Sequence, residues 1–504
     1  MIQLPADLIL RIIEHADVPS LRALSLTSKS FHILIVQYAY PAYLRNHPRP
    51  SFSLPETWPS LKRIQYDILS DERWDSELHD FVARPLQAPW QGKLQPVLAI
   101  SRSYLLVGAG SNLYIYRFSQ QNSKVSFAGS VPLQTDPEEE TRHSDVSALR
   151  FTSEENFLMG FADGTVERVD LLSTGRLELR REILDTSRHQ EDYIEAICHD
   201  REQTLILSSS GLVSLSLPGS EPSTTTVDLQ RRSWTALSRP QASTPYAVFG
   251  SSSSSTPLTV HATAFGLGTE PSIVLFANTR QLHTPGNSGS ASAVYALDSS
   301  PLCAPWGASD QIVTSGWYDG GVRVYDLRSS LRTTKEEKSG TNATHLLPSF
   351  SFSDPWSPEP IYSLASGGGA GAHIAAGAAR HSVVSFWDVR NVSQQINSPH
   401  PRHNARFGWA AHAPLNDSSP VYSLIMESSR VWGATQSRPF VFDFGPDVVG
   451  DTYPNVDTPV PASRRDRRGP RQDKSGNATK KEGAGFYVTK YEHNRGLSLG
   501  WGRP

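Results

Sequence analysis

Three groups of residues in this 504-residue sequence have types that could do chemistry. The first is a glycine-rich run, Gly367, Gly369 and Ala372, with the spacing of a dinucleotide-binding loop. Such a loop works by bringing backbone N–H groups against a pyrophosphate where a strand gives way to a helix. Here two apolar, strand-like stretches flank the run and no helical pattern follows, so the nucleotide reading fails in its own context. The second group is His400, His403 and His412. Pro401 breaks any helical spacing, and no cysteine or carboxylate completes a ligand set, so a solvated loop is expected rather than a metal site. The third is a basic cluster, Arg464, Arg465, Arg467, Arg468, Arg471, Lys474, Lys480 and Lys481, opposed by Asp466 and Asp473. It reads as part of a disordered linker over 446–485, with a nuclear localisation patch as the sharper alternative. No G-x-S-x-G, phosphate loop or kinase signature set is present. The expectation is a chain that is not an enzyme and holds no metal or cofactor.

Bulk properties narrow the partners. Net charge is -3, which argues against a nucleic-acid partner for the chain as a whole. Charged residues are 19%, which favours sheet and loop over long solvated helices. Cys198 and Cys303 are too few for a disulfide framework, so a reducing compartment, cytoplasmic or nuclear, is expected. The N-terminus lacks the basic region of a signal peptide. The most apolar stretch, Phe31 to Leu44, is interrupted by Gln37 and Pro41 and is too short to span a bilayer, so no membrane partner is expected.

Residues 4 to 44 carry a helical period. Leu8, Ile9, Ile12, Ile13 and Ala16 fall on one stripe, with Asp7, Arg11 and Glu14 elsewhere. Pro5 and Pro19 suit first turns, where an N–H has no helical partner. Leu21, Leu24 and Leu26 give a second short apolar face. Ser28 or Ser30 can cap a third helix bearing Phe31, Leu34, Ile35 and Tyr38. So small a unit buries little surface and should borrow stability, from the following domain or from a partner. The run from Leu4 to Phe31 resembles an F-box. Leu4, Pro5, Asp7, Leu8, Ile12, Ile13, Leu21, Leu24, Ser28, Lys29 and Phe31 match its pattern, while Thr27 and Phe31 stand where Val and Trp are commoner. The resemblance implies an F-box over 1–44 that binds a Skp-family adaptor, and through it a cullin. The implied adaptor-binding residues are Leu4, Pro5, Leu8, Ile12, Ile13, Leu21, Leu24 and Phe31.

Residues 45–94 read as a packed connector around Trp58, Trp74 and Trp90, with a helix near Asp71 to Val82. Beyond residue 95 short apolar strands recur between Gly, Ser, Asp and Pro. The pattern aliphatic-x-small-aliphatic starts at Val97, Val146, Ile194, Trp234, Val294, Ile361 and Val421, at intervals of 49, 48, 40, 60, 67 and 60 residues. At the fourth copy Trp234 takes the aliphatic place. Asp319-Gly320 signals a hairpin, and Trp387-Asp388 ends a strand. Over 95–445 these repeats resemble WD repeats, whose blades need ~40–45 residues. The fold expected is mainly β: a WD-repeat-like propeller of seven blades behind a small all-α F-box. Residues 486–504 are a candidate for closing the ring, through a strand at Phe486 to Val488.

The combined resemblance implies the substrate-recognition subunit of an SCF-type ubiquitin ligase. Two alternatives stay open. Trp387-Asp-Val-Arg390 and Tyr325-Asp-Leu-Arg328 resemble the signature of receptors for a different cullin adaptor, and a non-ligase scaffold also fits. On one propeller rim, Arg231, Arg232, Trp317, Arg380, His381 and Arg438 are the candidate substrate-binding residues. They would suit an acidic or phosphorylated peptide.

Overall fold

The structure is a computed structural model. It describes residues 6–76, 80–133, 145–173, 177–184, 189, 191–219, 223–229, 231–278, 293–304, 307–329, 343–391, 408–415, 418–456, 486 and 488–493. The chain opens with helices α1 (Ala6–Glu14) and α2 (Val18–Ser25). Asp17 caps α2, its carboxylate accepting from the Ser20 N–H at 3.0 Å. Ser28 caps α3 (Lys29–Leu34) in the same way through the Phe31 N–H, at 3.2 Å. The chain then winds on through a π turn, Ile35–Ala39, into α4 (Tyr40–Asn46). Pro41 accounts for the widening: it has no N–H to give, and its ring would collide with the carbonyl four residues back in a regular helix. Helix α5 spans Ser60–Asp75, starting after Pro59. That corrects the expected helix at Asp71 to Val82, since Val82 opens a strand. Ile64 of α5 joins Ile13, Leu21, Ile35, Ala39 and Tyr40 in one core. The N-terminal unit therefore borrows its missing apolar surface from the connector.

Seven sheets follow. Strand β1 (Val82–Pro85) precedes blade 1, which is β2 (Val97–Ile100), β3 (Tyr104–Ala109), β4 (Asn112–Phe118) and β5 (Val125–Pro132). Blade 2 is β6 (Val146–Phe151), β7 (Asn156–Phe161), β8 (Val166–Ser173) and β9 (Leu177–Ile183). Blade 3 is β10 (Ile194–Asp200), β11 (Gln203–Ser208), β12 (Leu212–Ser216) and β13 (Ser223–Thr226). Blade 4 is β14 (Ser233–Arg239), β15 (Tyr246–Ser251), β16 (Leu258–Ala262) and β17 (Ile273–Leu275). Blade 5 is β18 (Val294–Ser299), β19 (Ile312–Trp317), β20 (Gly321–Asp326) and β22 (Phe350–Ser353). Between its last two strands β21 (Thr344–Leu346) returns to blade 4 as a parallel fifth strand, which explains part of the longest interval. Blade 6 is β23 (Ile361–Gly367), β24 (His373–Ala378), β25 (Val383–Asp388) and β26 (Gly408–His412). Blade 7 is β27 (Val421–Met426), β28 (Arg430–Thr435) and β29 (Pro439–Asp443).

The first strand of each blade packs on the first strand of the next, and β27 meets β2, so the seven form a closed ring around a central axis. The fourth strand of blade 7 is β1, antiparallel to β29 with Val82 opposite Asp443 and Pro85 opposite Phe440. Closure therefore comes from ahead of blade 1. The C-terminal segment expected to do this instead adds β30 (Lys490–Glu492) to the outer edge of blade 6, and Phe486 bridges to Ala83. Both additions cover strand edges that would otherwise be open to pairing with other chains.

The repeat has a sharper physical form than the sequence pattern. In β6, β10, β14, β18, β23 and β27 the pairing slips after the first residue, leaving Ser147, Glu195, Trp234, Tyr295, Tyr362 and Tyr422 in a bulge. The fourth copy therefore starts one residue earlier than the sequence pattern places it. Ser233 takes the aliphatic place and Trp234 is the bulged residue. A second signal runs along the second strands. A Cβ at Gly108, Gly160 or Gly316 would lie 2.7, 2.7 or 2.6 Å from Val146, Ile194 or Ile361, the first inner-strand residue of the next blade. Where Leu207 replaces that glycine, opposite Ala196, the next blade begins with the small Ser233, whose hydroxyl donates to the Ser208 carbonyl at 2.5 Å.

Gly316→Ala should thus overpack the blade 5 to blade 6 contact and cost ~1–3 kcal/mol. Urea unfolding of the two proteins checks this, and an unchanged midpoint would contradict the inter-blade packing described.

Candidate functional site

The helical unit presents aliphatic groups that its own core does not use. Leu8 and Ile12, one turn apart on α1, are 48% and 57% exposed. Leu26, Ile33, Val36 and Tyr38, which sequence reasoning did not single out as adaptor contacts, are exposed as well. Ile13 and Leu21 are 3% and 1% exposed, so they are core residues rather than the interface expected of them. Leu24 packs against that core and Phe31 is half-buried. Leu4 and Pro5 lie outside the described residues. The single apolar stripe of α1 is in fact two adjacent rows: Ile9, Ile13 and Ala16 face inward, and Leu8 and Ile12 face out. Periodicity alone does not separate such rows; the position of α5 does.

Helix α5 fastens this unit to the propeller. Trp74 stacks on Phe444 with ring centroids 3.6 Å apart and on His373 at 4.5 Å, and its indole N–H donates to the Ser428 carbonyl at 2.9 Å. The glycine-rich run receives it. A Cβ at Gly368 would lie 3.1 Å from the Trp74 ring, and one at Gly369 would lie 3.2 Å from the Asp71 carboxylate. Asp71 in turn takes a two-pronged bond from Arg49, 2.7 Å on each side. The run is a seat for a helix, not for a nucleotide. Nearby, Glu427 accepts from the Ser53 N–H and hydroxyl and from the Trp432 indole, at 2.6–2.7 Å.

At the opposite rim, where inner strands begin and second strands end, the bulged residues form an aromatic arc. Trp234 meets Tyr295 edge-to-face at 5.1 Å, Tyr295 meets Tyr362 at 5.2 Å, and Tyr362 stacks on Tyr422 at 5.7 Å. Tyr318 lies 6.4 Å from Tyr295. The Arg232 guanidinium sits over Trp234 at 4.3 Å and over Tyr193 at 5.5 Å, and pairs with Glu195 at 2.6 Å. Burial pushes the Glu195 carboxyl up to about 7 against the pull of Arg232. Burial also raises the Tyr193 phenol to about 12, with Glu195 adding to it.

The expected substrate residues fall on this same rim, at inner-strand starts or in the turns between second and third strands. Arg231 and Arg232 precede β14, Arg380 and His381 turn between β24 and β25, and Arg438 precedes β29. Arg380 pairs with Glu359 at 3.6 Å, and Arg438 is half-buried. Trp317 is 0% exposed, beneath the Arg323 guanidinium at 4.9 Å, so it is a core residue and not a surface contact. Its neighbour Tyr318, 47% exposed, takes that place. Arg323 is itself tied to Asp319 of the hairpin turn, at 2.8 and 2.5 Å.

The two W-D-x-R-like stretches fold back on themselves. Arg328 bonds Asp326, and Arg390 bonds Asp388 and also Asp75 of α5. Asp75, His373 and Asp388 approach as a ligand set would, but Arg390 already lies between the carboxylates, a poor site for a cation. His412 bonds the His381 carbonyl through its ring, while His400, His403 and the basic cluster at 464–481 lie outside the described residues.

Trp74→Ala should cost ~3–5 kcal/mol, as for other buried aromatics. It should also let protease cut between α5 and β1 under conditions that leave the wild type whole. An unchanged digestion pattern would show that the helices are not fastened through Trp74.

Among known proteins, the F-box domain model matches residues 1–38. No curated protein matches the chain. A solved structure similar to it is that of the computationally designed Ika8 protein, 16% identical, covering 71% of this chain and 99% of its own at a TM-score of 0.40. The chain is an F-box domain, residues 1–38, carried on a seven-bladed β-propeller.

Proposed function

We propose that the chain is the target-recognition subunit of an SCF-type ubiquitin ligase. Its F-box would hold a Skp-family adaptor, and its propeller would hold the protein to be modified. The observation that carries this is the exposed Leu8/Ile12 row on a domain whose core is already complete without it. Apolar surface left outside a finished core is what a permanent partner covers. In this reading the blades are divergent WD repeats, with Trp387-Asp388 closing the third strand of blade 6. The chain does no bond chemistry of its own: it brings a target to a charged carrier recruited by the cullin. It acts in the cytoplasm or nucleus. The reading through the other cullin adaptor gains no support, because Arg328 and Arg390 are engaged by their own aspartates.

Burying each aliphatic side chain is worth ~1.5–3 kcal/mol. Changing Leu8 and Ile12 together to Ala should therefore weaken adaptor binding at least ~100-fold, at tenfold per 1.4 kcal/mol. Stability should hold, since neither residue is buried in the free chain. Co-purification with the Skp-family adaptor checks this. Full binding by the folded double mutant would remove the interface assignment, and no binding by the wild type would remove the ligase reading. Arg328→Ala with Arg390→Ala should leave adaptor binding unchanged.

A further inference from the structure

We propose that the aromatic arc at the channel mouth is a binding site for a positively charged side chain of the target: lysine, methylated lysine or arginine. The proposal rests on the receptor reading only in taking the ligand to be a segment of a target protein.

Four bulged residues of consecutive inner strands, Trp234, Tyr295, Tyr362 and Tyr422, place their rings around one mouth, the first three edge to face and the last stacked on Tyr362. A bulge re-aims a side chain out of the sheet, and here it does so at the same register in each of the four blades. The faces of such rings carry negative potential and attract ammonium and guanidinium groups, more strongly where water is excluded. These rings are partly buried, and Tyr318 stands exposed beside them. The chain already shows this chemistry at one end of the arc. Arg232 lies over Trp234 and Tyr193 and against the Glu195 carboxylate. From Tyr295 to Tyr422 the arc holds no cation of the chain's own among the described residues.

Charge at the rim points the same way. Of the arginines there, Arg232 is held by Glu195 and Arg380 by Glu359. Arg231 is exposed and forms no ion pair among the described residues, but a single free guanidinium is a weak basis for phosphate recognition, which draws on clustered arginines. Asp145, at the entry to β6, likewise forms no ion pair among the described residues, and it lies close enough to Tyr193 to raise that phenol. An incoming cation would find ring faces and a carboxylate.

The test uses the full chain, with and without the Skp-family adaptor, and pooled peptides of about seven residues with random flanks. The fixed centre is lysine, trimethyl-lysine, arginine, norleucine or phosphoserine, and binding is read by fluorescence anisotropy. At least one cationic pool should bind about tenfold tighter than the norleucine and phosphoserine pools. Tyr295→Leu with Tyr362→Leu should abolish that preference. The corresponding pair of Phe variants, which keep the ring faces, should retain it. Preference for phosphoserine, preference for norleucine, no binding by any pool, or a cationic preference that survives the Leu variants would each overturn the proposal. Adaptor binding is measured on the same samples. If it holds while the cationic preference is absent, only this inference fails. If adaptor binding is absent while the preference is present, the receptor reading fails and the mouth site stands.

Discussion

The ion pair of Arg430 and Asp443 is wholly buried, at 2.9 Å, and the rest of the molecule is assembled around it. Two charges taken out of water cost several kcal/mol each unless every donor and acceptor finds a partner. Here the hydrogen-bond partners come from three separate stretches of chain. Arg430 donates to the Ser53 hydroxyl of the connector at 3.1 Å and to the Ser123 carbonyl of blade 1 at 2.5 Å. The Tyr453 hydroxyl donates to Asp443, and the Tyr453 and Trp432 rings flank the guanidinium. Burial opposes the charge on Arg430, yet Tyr453, Asp443, Tyr66 and Glu427 together hold its pKa well above the ordinary arginine value. Asp443 is also the residue of β29 that faces Val82 of β1. One buried charge thus ties ring closure, the blade 7 to blade 1 joint and the helical connector into a single event. Removing either partner would leave the other charge buried and alone.

That joint divides the molecule's work between two rims. Helix α5 rests where inner strands end, against Gly368, Gly369 and Ser428. The aromatic arc lies where inner strands begin, at the other end of the same strands. The path from the F-box to the arc therefore runs through packed sheet rather than through a flexible linker. A receptor needs this if a target is to be held at a fixed place relative to whatever the F-box holds. The stacking of Trp74 between Phe444 and His373 and the paired bonds from Arg49 to Asp71 make α5 part of the propeller rather than a tether to it.

Much of this was legible in the residues. The seven inner strands, the hairpin at Asp319-Gly320 and a serine cap on the third helix, Ser28 of the two candidates, follow from local chemistry that survives folding. What was hidden depends on neighbours distant in sequence. The fourth repeat slipped by one because Ser233 looks unlike an aliphatic. Its smallness makes sense only against Leu207, the one second-strand residue among blades 2 to 6 that replaces the glycine of that position. The slip also concealed Trp234 as a bulged residue and with it the arc. Trp317 and Tyr318 differ by one position across the end of a strand, and only the bulge in β18 decides which faces out. Ring closure by β1 could not be read from four residues, Val82 to Pro85, whose partner lies more than three hundred residues away. The outward row of α1 is defined by α5, which the sequence pattern placed too late.

The proposed adaptor face is a helical unit built rigidly onto a closed propeller. Hydrogen–deuterium exchange of the full chain, with and without the Skp-family adaptor, tests it most directly. Added protection should be confined to α1 and to the segment running from α3 through the π turn into α4. The blades and the aromatic arc should exchange as before. Protection appearing on the blades, or none in α1, would contradict the account.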